Sequence, residues 1–226
     1  MTQQTTSSSA TPATPTTGSE LSATTLLSAS DLYCERDERV LFRGLNFSVR
    51  RGQVVQIKGA NGTGKTTLLR MVCGLNRDYE GELLWLGREI REHYEEYCSQ
   101  LLYIGHRVGV NKVLTPLENL RWSCRLQREV DEQQLLKALA GVGLRGFEES
   151  QCYALSAGQQ QRVALARLLL SQATLWVLDE PFTTLDVDGV ALLEKLLHQH
   201  AARGGAVLVT THHALDVPDL EVLNLG

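Results

Sequence analysis

From Leu21 onward, short β-rich runs, "LLSASDLYC" and "LNFSV", lead into a denser apolar run, "QVVQIKG" at 53 to 59. Val54, Val55 and Ile57 in that run suit a strand buried inside a sheet. The strand ends in glycine and passes into "GKTTLLRMVCGL", where Leu68, Leu69, Val72 and Leu75 recur at helical spacing. The unit predicted is strand, glycine loop, helix.

A more polar stretch follows, with "GELLWLG" as a short strand, then "LLYIGH", then helical segments near 116 to 127, 131 to 142 and 156 to 170. In the second of these helices Leu135, Leu136, Leu139 and Val142 form one apolar face. Beyond them "ATLWVL" (173 to 178), "VALLEKLLHQH" (190 to 200) and "GAVLVTT" (205 to 211) alternate as strand, helix and strand. The pattern predicts an α/β core interrupted by a helical insertion, about residues 88 to 165, with no internal repeat.

Composition narrows the setting. With 43% hydrophobic residues the chain can bury one core, giving a single domain over 21 to 226. Residues 1 to 20 are rich in Ser, Thr and Pro and have almost no large apolar side chains, so a disordered tail is expected. That segment has neither the basic start and apolar run of a secretory signal nor the arginines of a transit peptide. A net charge of −4 leaves no basic footprint, which argues against nucleic acid as a principal partner. Cys34, Cys73, Cys98, Cys124 and Cys152 have neither zinc-ligand nor paired spacing, so reduced thiols are expected. No apolar run is long enough to span a bilayer, and any membrane role must come through a partner.

Three strand ends carry the chemistry. "GANGTGKT", Gly59 to Thr66, fits the phosphate-loop pattern between a strand and a helix. Its residues Gly59, Ala60, Asn61, Gly62, Thr63 and Gly64 turn backbone N–H groups toward phosphate. Lys65 reaches the β- and γ-phosphates, and Thr66, followed by Thr67, offers a hydroxyl to Mg²⁺. "LWVLDEP" ends a strand in two carboxylates: Asp179 is placed to ligate Mg²⁺ and Glu180 to polarise an attacking water. Taken alone, such an end reads as readily as a solvated edge; behind a phosphate loop it reads as catalytic. "LVTTHH" ends a third strand at the same crevice, where His212 approaches the γ-phosphate and His213 stays open. Finally, "YALSAGQQQRVALARLLL" at 153 to 170 sets a small polar loop before an apolar helix, a second N-terminus suited to an anion.

Taken in order, "GANGTGKT", "LSAGQ", "LDEP" with "TTLD", and "TTHH" resemble the ATP-binding cassette (ABC) family of ATPases over about residues 25 to 226. "LSAGQ" is similar to the family's signature loop LSGGQ, with Ala157 in place of one glycine. The resemblance implies an α/β P-loop NTPase core of ABC type, with a mixed or parallel sheet, an N-terminal antiparallel β part and a helical insertion subdomain. It also implies ATP and Mg²⁺ as ligands, and a head-to-tail homodimer in which each ATP lies between one P-loop and the partner's signature loop. On that pattern Ser156, Gly158 and Gln159 face the partner's nucleotide, and Asp186 lies across the interface. His106 stands where the family has a glutamine that meets Mg²⁺ and the membrane-facing loop; a neutral imidazole binds water or metal, a protonated one repels Mg²⁺. Arg36 stands where an aromatic stacks on adenine; its guanidinium plane can stack on a base, the alternative being an exposed arginine with no ligand.

"CERDERVLFRGLNF", "LLYIGHRVGVNKVLTPLENL" and "TTHHALDV" resemble the ATP-binding subunits of cytochrome c maturation systems. That resemblance implies a peripheral ATPase on the cytoplasmic face of a bacterial inner membrane, bound to integral membrane subunits. Its work would be haem export or release of a haem-carrying chaperone. A cassette for another exported substrate and a soluble cofactor-assembly ATPase are the alternatives.

Overall fold

A computed structural model describes residues 24–125 and 129–225. The expected tail at 1 to 20 and the last two residues of the helix expected over 116 to 127 lie outside that range. Strands β1 (Thr25–Arg36), β2 (Arg39–Arg50), β4 (Glu80–Trp85) and β5 (Arg88–Glu89) form an antiparallel sheet in the order β2-β1-β4-β5. β1 and β2 are one long hairpin, and both residues of its tip, Asp37 and Glu38, have positive φ (51° and 61°). Such a turn matches the right-handed twist of the flanking strands.

β3 (Val54–Lys58), β6 (Leu101–Ile104), β7 (Leu175–Asp179), β8 (Ala206–Thr210) and β9 (Leu220–Asn224) form a parallel sheet in the order β6-β7-β8-β3-β9. Its inner strands are mostly apolar because both faces are covered, whereas edge strand β9 is half-exposed or exposed along its length. Val54, Trp176, Leu178, Val207 and Val209 enter one core with the helices, while Val55, Ile57, Leu175, Val177 and Leu208 enter the other, under the antiparallel sheet. β9 is absent from the pattern-based expectation.

Helix α1 (Lys65–Val72) buries Leu68, Leu69 and Val72 as predicted, but Leu75 is not on it. The helix stops at Val72, Gly74 turns with φ 66°, and Leu75 is exposed. After the short α2 (Tyr94–Ser99) and β6 come α3 (Pro116–Arg125), α4 (Glu132–Gly141) and α5 (Ala157–Leu170). The helical part therefore begins after β6, later than residue 88, because β6 pairs with β7 in the core sheet. α3 starts at a reciprocal cap: Thr115 Oγ1 accepts from Glu118 N and Glu118 Oε2 accepts from Thr115 N. On α4, Leu135 and Leu139 are buried, with Val142 just beyond the helix, whereas Leu136 is exposed, so the apolar face is narrower than expected. α6 (Val187–Ala202) starts at Asp186, whose carboxylate accepts from Gly189 N at 2.9 Å. Among the described residues no helix is long and apolar enough to cross a membrane.

Candidate active site

Parallel strands deliver their C-terminal ends to one edge, and the motif residues of β3, β7 and β8 meet there. At the end of β3, a Cβ on Gly59 would lie 2.5 Å from Leu225 O and 2.6 Å from Thr63 Oγ1, so only glycine fits. Gly64, with φ 99°, begins α1 and packs on Leu41 and Phe42 of β2. No side chain caps α1 and no acid occupies its first turn, which leaves amides and positive dipole open to an anion. Lys65 Nζ donates to Gly59 O (2.7 Å) and Ala60 O (3.1 Å), folding the ammonium back across the loop. Thr63 Oγ1 donates to Ala60 O at 3.0 Å and closes the turn.

Asp179 ends β7 and is 3% exposed. Its Oδ1 accepts from Thr210 Oγ1 at 2.7 Å, while its Oδ2 is buried with no hydrogen-bond partner. A buried carboxylate oxygen left unmatched is costly and calls for a cation. Thr66 lines the same cleft, and a carboxylate with a hydroxyl is a hard-oxygen donor set, which fits Mg²⁺. Glu180 follows with φ 52°, and its amide donates to Thr210 O and Thr210 Oγ1, both at 3.0 Å. His212 Nε2 lies 3.7 Å from Glu180 Oε1, on a side chain that is 72% exposed.

A cleft of about 340 Å³ gathers Asn61, Gly62, Gly64, Lys65, Thr66 and Thr67 with Asp179 and Glu180; Arg36, Leu41 and His106 also line it. Arg36 sits beside the hairpin tip, largely exposed, 3.8 Å from Asp37. A larger groove of about 570 Å³ runs between Arg51, Trp176 and Arg203, but it holds none of the expected site residues. Size alone does not mark the site.

Ser156, Gly158 and Gln159 do not line the cleft. They open α5 with a reciprocal cap: Ser156 Oγ accepts from Gln159 N (3.2 Å), and Gln159 Oε1 accepts from Ser156 N (2.9 Å). The Gln159 carbonyl thus serves its own helix. Arg162, one turn on, binds Asp186 and donates to Val142 O, so Asp186 faces a cation of its own chain. The Gly189 amide and the Arg162 guanidinium hold the Asp186 carboxyl below the usual carboxylate range. Gln161 Nε2 donates to Pro181 O at 2.7 Å, tying α5 to the segment that follows Glu180.

Several contributors escape pattern reading. Gln56, buried in β3, donates to Thr211 O (3.0 Å) and His213 O (3.3 Å), which brackets His212. Its only sequence signal is a polar residue inside an apolar strand. Thr210 and Leu41 lie inside quoted stretches, but the motifs assign neither of them a role. His213, open from sequence, stacks on Phe182 and lies 3.2 Å from Glu194 Oε1, a structural placement away from the cleft.

The chain is similar to known proteins along most of its length. A family model described as "ABC transporter" matches residues 42–183. A cytochrome c biogenesis ATP-binding export protein CcmA from Hahella chejuensis is 55% identical over 192 residues, covering 85% of this chain and 91% of the relative. The protein of that name from Escherichia coli strain K12 is 51% identical over 201 residues, covering 89% and 96%. Among solved structures, an ATP-binding subunit of an ABC transporter superposes with TM-score 0.75 at 28% identity, covering 83% of this chain and 79% of that one. A putative ABC transporter ATP-binding protein from Pyrococcus furiosus gives 0.76 at 25% identity, covering 88% and 96%.

Proposed function

The chain belongs to the ABC transporter family, among its cytochrome c biogenesis ATP-binding export proteins, and from that premise we propose how its residues divide the work of an ATP-hydrolysing subunit. Lys65 and the open amides of α1 take the β- and γ-phosphates, and Arg36 with Leu41 forms the platform for the base. Thr66 and Asp179 hold Mg²⁺, which when bound neutralises charge on the phosphate oxygens. Glu180 accepts the proton of the attacking water, and His212 stands next to it at the γ-phosphate end. His106 borders the same cleft from the end of β6 and links nucleotide state to the helical part.

One observation carries this reading: a single chain assembles the P-loop, Asp179 and Glu180 in one cleft but leaves Ser156 and Gly158 outside it. The signature loop therefore serves a second copy, and two MgATP close a head-to-tail homodimer. Closure acts on integral membrane subunits through the helical part, where Val113, Trp122 and Tyr153 are exposed. The complex works on the cytoplasmic face of a bacterial inner membrane, in haem export or in release of a haem-carrying chaperone. Affinity purification from detergent-solubilised membranes tests the assignment. Recovery of cytochrome c maturation membrane subunits is the expected result; recovery of a soluble scaffold, or of transporter subunits for another substrate, would overturn it.

A further inference from the structure

The Asp179 carboxylate and the Glu180 backbone amide, at the end of β7, are both bonded by one residue of the neighbouring strand. Thr210 is fully buried and lies opposite Asp179 in the parallel register of β7 and β8. A threonine hydroxyl has one proton to give and lone pairs to accept with. Here the proton goes to Asp179 Oδ1 at 2.7 Å, and the oxygen accepts from Glu180 N at 3.0 Å. One hydroxyl thus satisfies Oδ1, leaves Oδ2 as the unmatched oxygen, and pins the amide of the next residue. The amide is shared with Thr210 O, also at 3.0 Å, and the two acceptors together hold Glu180 at φ 52°, where a non-glycine residue persists only when its surroundings keep it there. The β-branched side chain adds stiffness at χ1, which keeps the hydroxyl aimed at both partners.

We propose that Thr210 is a positioning residue of the hydrolytic site: its hydroxyl selects the Asp179 oxygen offered to Mg²⁺ and fixes the backbone from which Glu180 acts. The proposal rests on the reading that Asp179 ligates Mg²⁺. A threonine that merely completed its own hydrogen bonding at a strand end would bond backbone and leave the metal term of nucleotide binding unchanged.

The measurement that separates the two is the gain in ATP affinity on adding Mg²⁺, from equilibrium titrations of the full chain with ATP in Mg²⁺ and in EDTA. Thr210→Val keeps the volume and removes the hydroxyl. Its affinity in EDTA stays within about twofold of the parent while the Mg²⁺ gain falls by about 10- to 100-fold, the usual cost of losing a group that orients a metal ligand. Thr210→Ser restores the gain, and Asp179→Asn abolishes it. Should Thr210→Val not fold, Thr210→Ala removes the same hydroxyl and is judged by the same ratio.

An unchanged Mg²⁺ gain in the hydroxyl-free variant, with Asp179→Asn lacking it, overturns the role of Thr210 alone. An equal loss of affinity in EDTA and in Mg²⁺ also overturns it, because the hydroxyl then acts on the fold. A normal Mg²⁺ gain in Asp179→Asn overturns the reading of Asp179 and the proposal with it.

Discussion

The P-loop helix and the signature helix both present an N-terminus suited to phosphate, yet α1 and α5 are finished differently. α1 begins at Gly64 with no side-chain cap, whereas α5 begins at Ser156 with both halves of a capping box in place. An uncapped N-terminus is completed by an anionic ligand, so in the proposed site phosphate and α1 would stabilise each other. A capped one is rigid beforehand and has less to offer. On α5 the Ser156 hydroxyl already accepts from Gln159 N, which leaves its own proton, with the Ala157 and Gly158 amides, to donate to a phosphate. On the proposed reading, the first site captures nucleotide and the second checks that another copy has it.

Removing the base breaks this comparison at its stronger end. Glu180→Gln keeps the side-chain size and the hydrogen bonds of its amide but cannot take a proton. ATP turnover falls by about 10²- to 10⁴-fold, the usual contribution of a positioned base, while ATP affinity is retained. Near-normal turnover would remove Glu180 from that role and leave His212, 3.7 Å away, as the group to test next.

Mixing two inactive chains tests whether the halves belong to different copies. A Lys65→Ala chain lacks a P-loop and a Ser156→Arg chain lacks a signature loop, so every site in either homodimer is broken. In a mixed dimer the intact P-loop of one faces the intact signature of the other. Half of randomly paired dimers are mixed, each with one intact site of two, so activity recovers to at most about a quarter of the parent level for a twofold-symmetric pair. No recovery, with each chain still binding its partner, would count against the head-to-tail arrangement.

Legibility from sequence follows the same division. The P-loop and the Asp179-Glu180 pair are contiguous motifs at the ends of apolar runs, and local pattern finds them. β9 escapes pattern reading because it is an edge strand whose residues are all half-exposed or exposed, and such a strand lacks the continuous apolar run of its buried neighbours. Leu75 and Leu136 were misplaced because periodicity sees neither a glycine stop nor the width of a neighbouring core. Gln56, Gln161 and Thr210 act across strand and loop pairs far apart in sequence. Their residue types are unremarkable in place; the register of β3, β7 and β8 brings Gln56 and Thr210 to their partners, and the packing of α5 brings Gln161 to Pro181 O.

The smallest expected effect explains why one signature glycine has been replaced here and the next has not. Ala157 is exposed at the first position of α5, and its φ is negative, so a methyl group is accommodated there. A Cβ on Gly158 would lie 2.8 Å from Thr184 O, a backbone atom of a residue itself held at φ 69°. Two terms then compete in Gly158→Ala. Helix propensity favours alanine by about 1 kcal/mol. Overpacking against an atom that can yield only by moving backbone costs about 1 to 3 kcal/mol. The second term wins, so urea unfolding should show a net loss of about 1 kcal/mol, within the difference of those ranges. ATP turnover should fall less than in Glu180→Gln, since the P-loop half is untouched. A stability gain near the full propensity term would mean that the Thr184 segment moves aside freely. Glycine at 158 would then be needed by the nucleotide of the partner and not by the packing of its own chain.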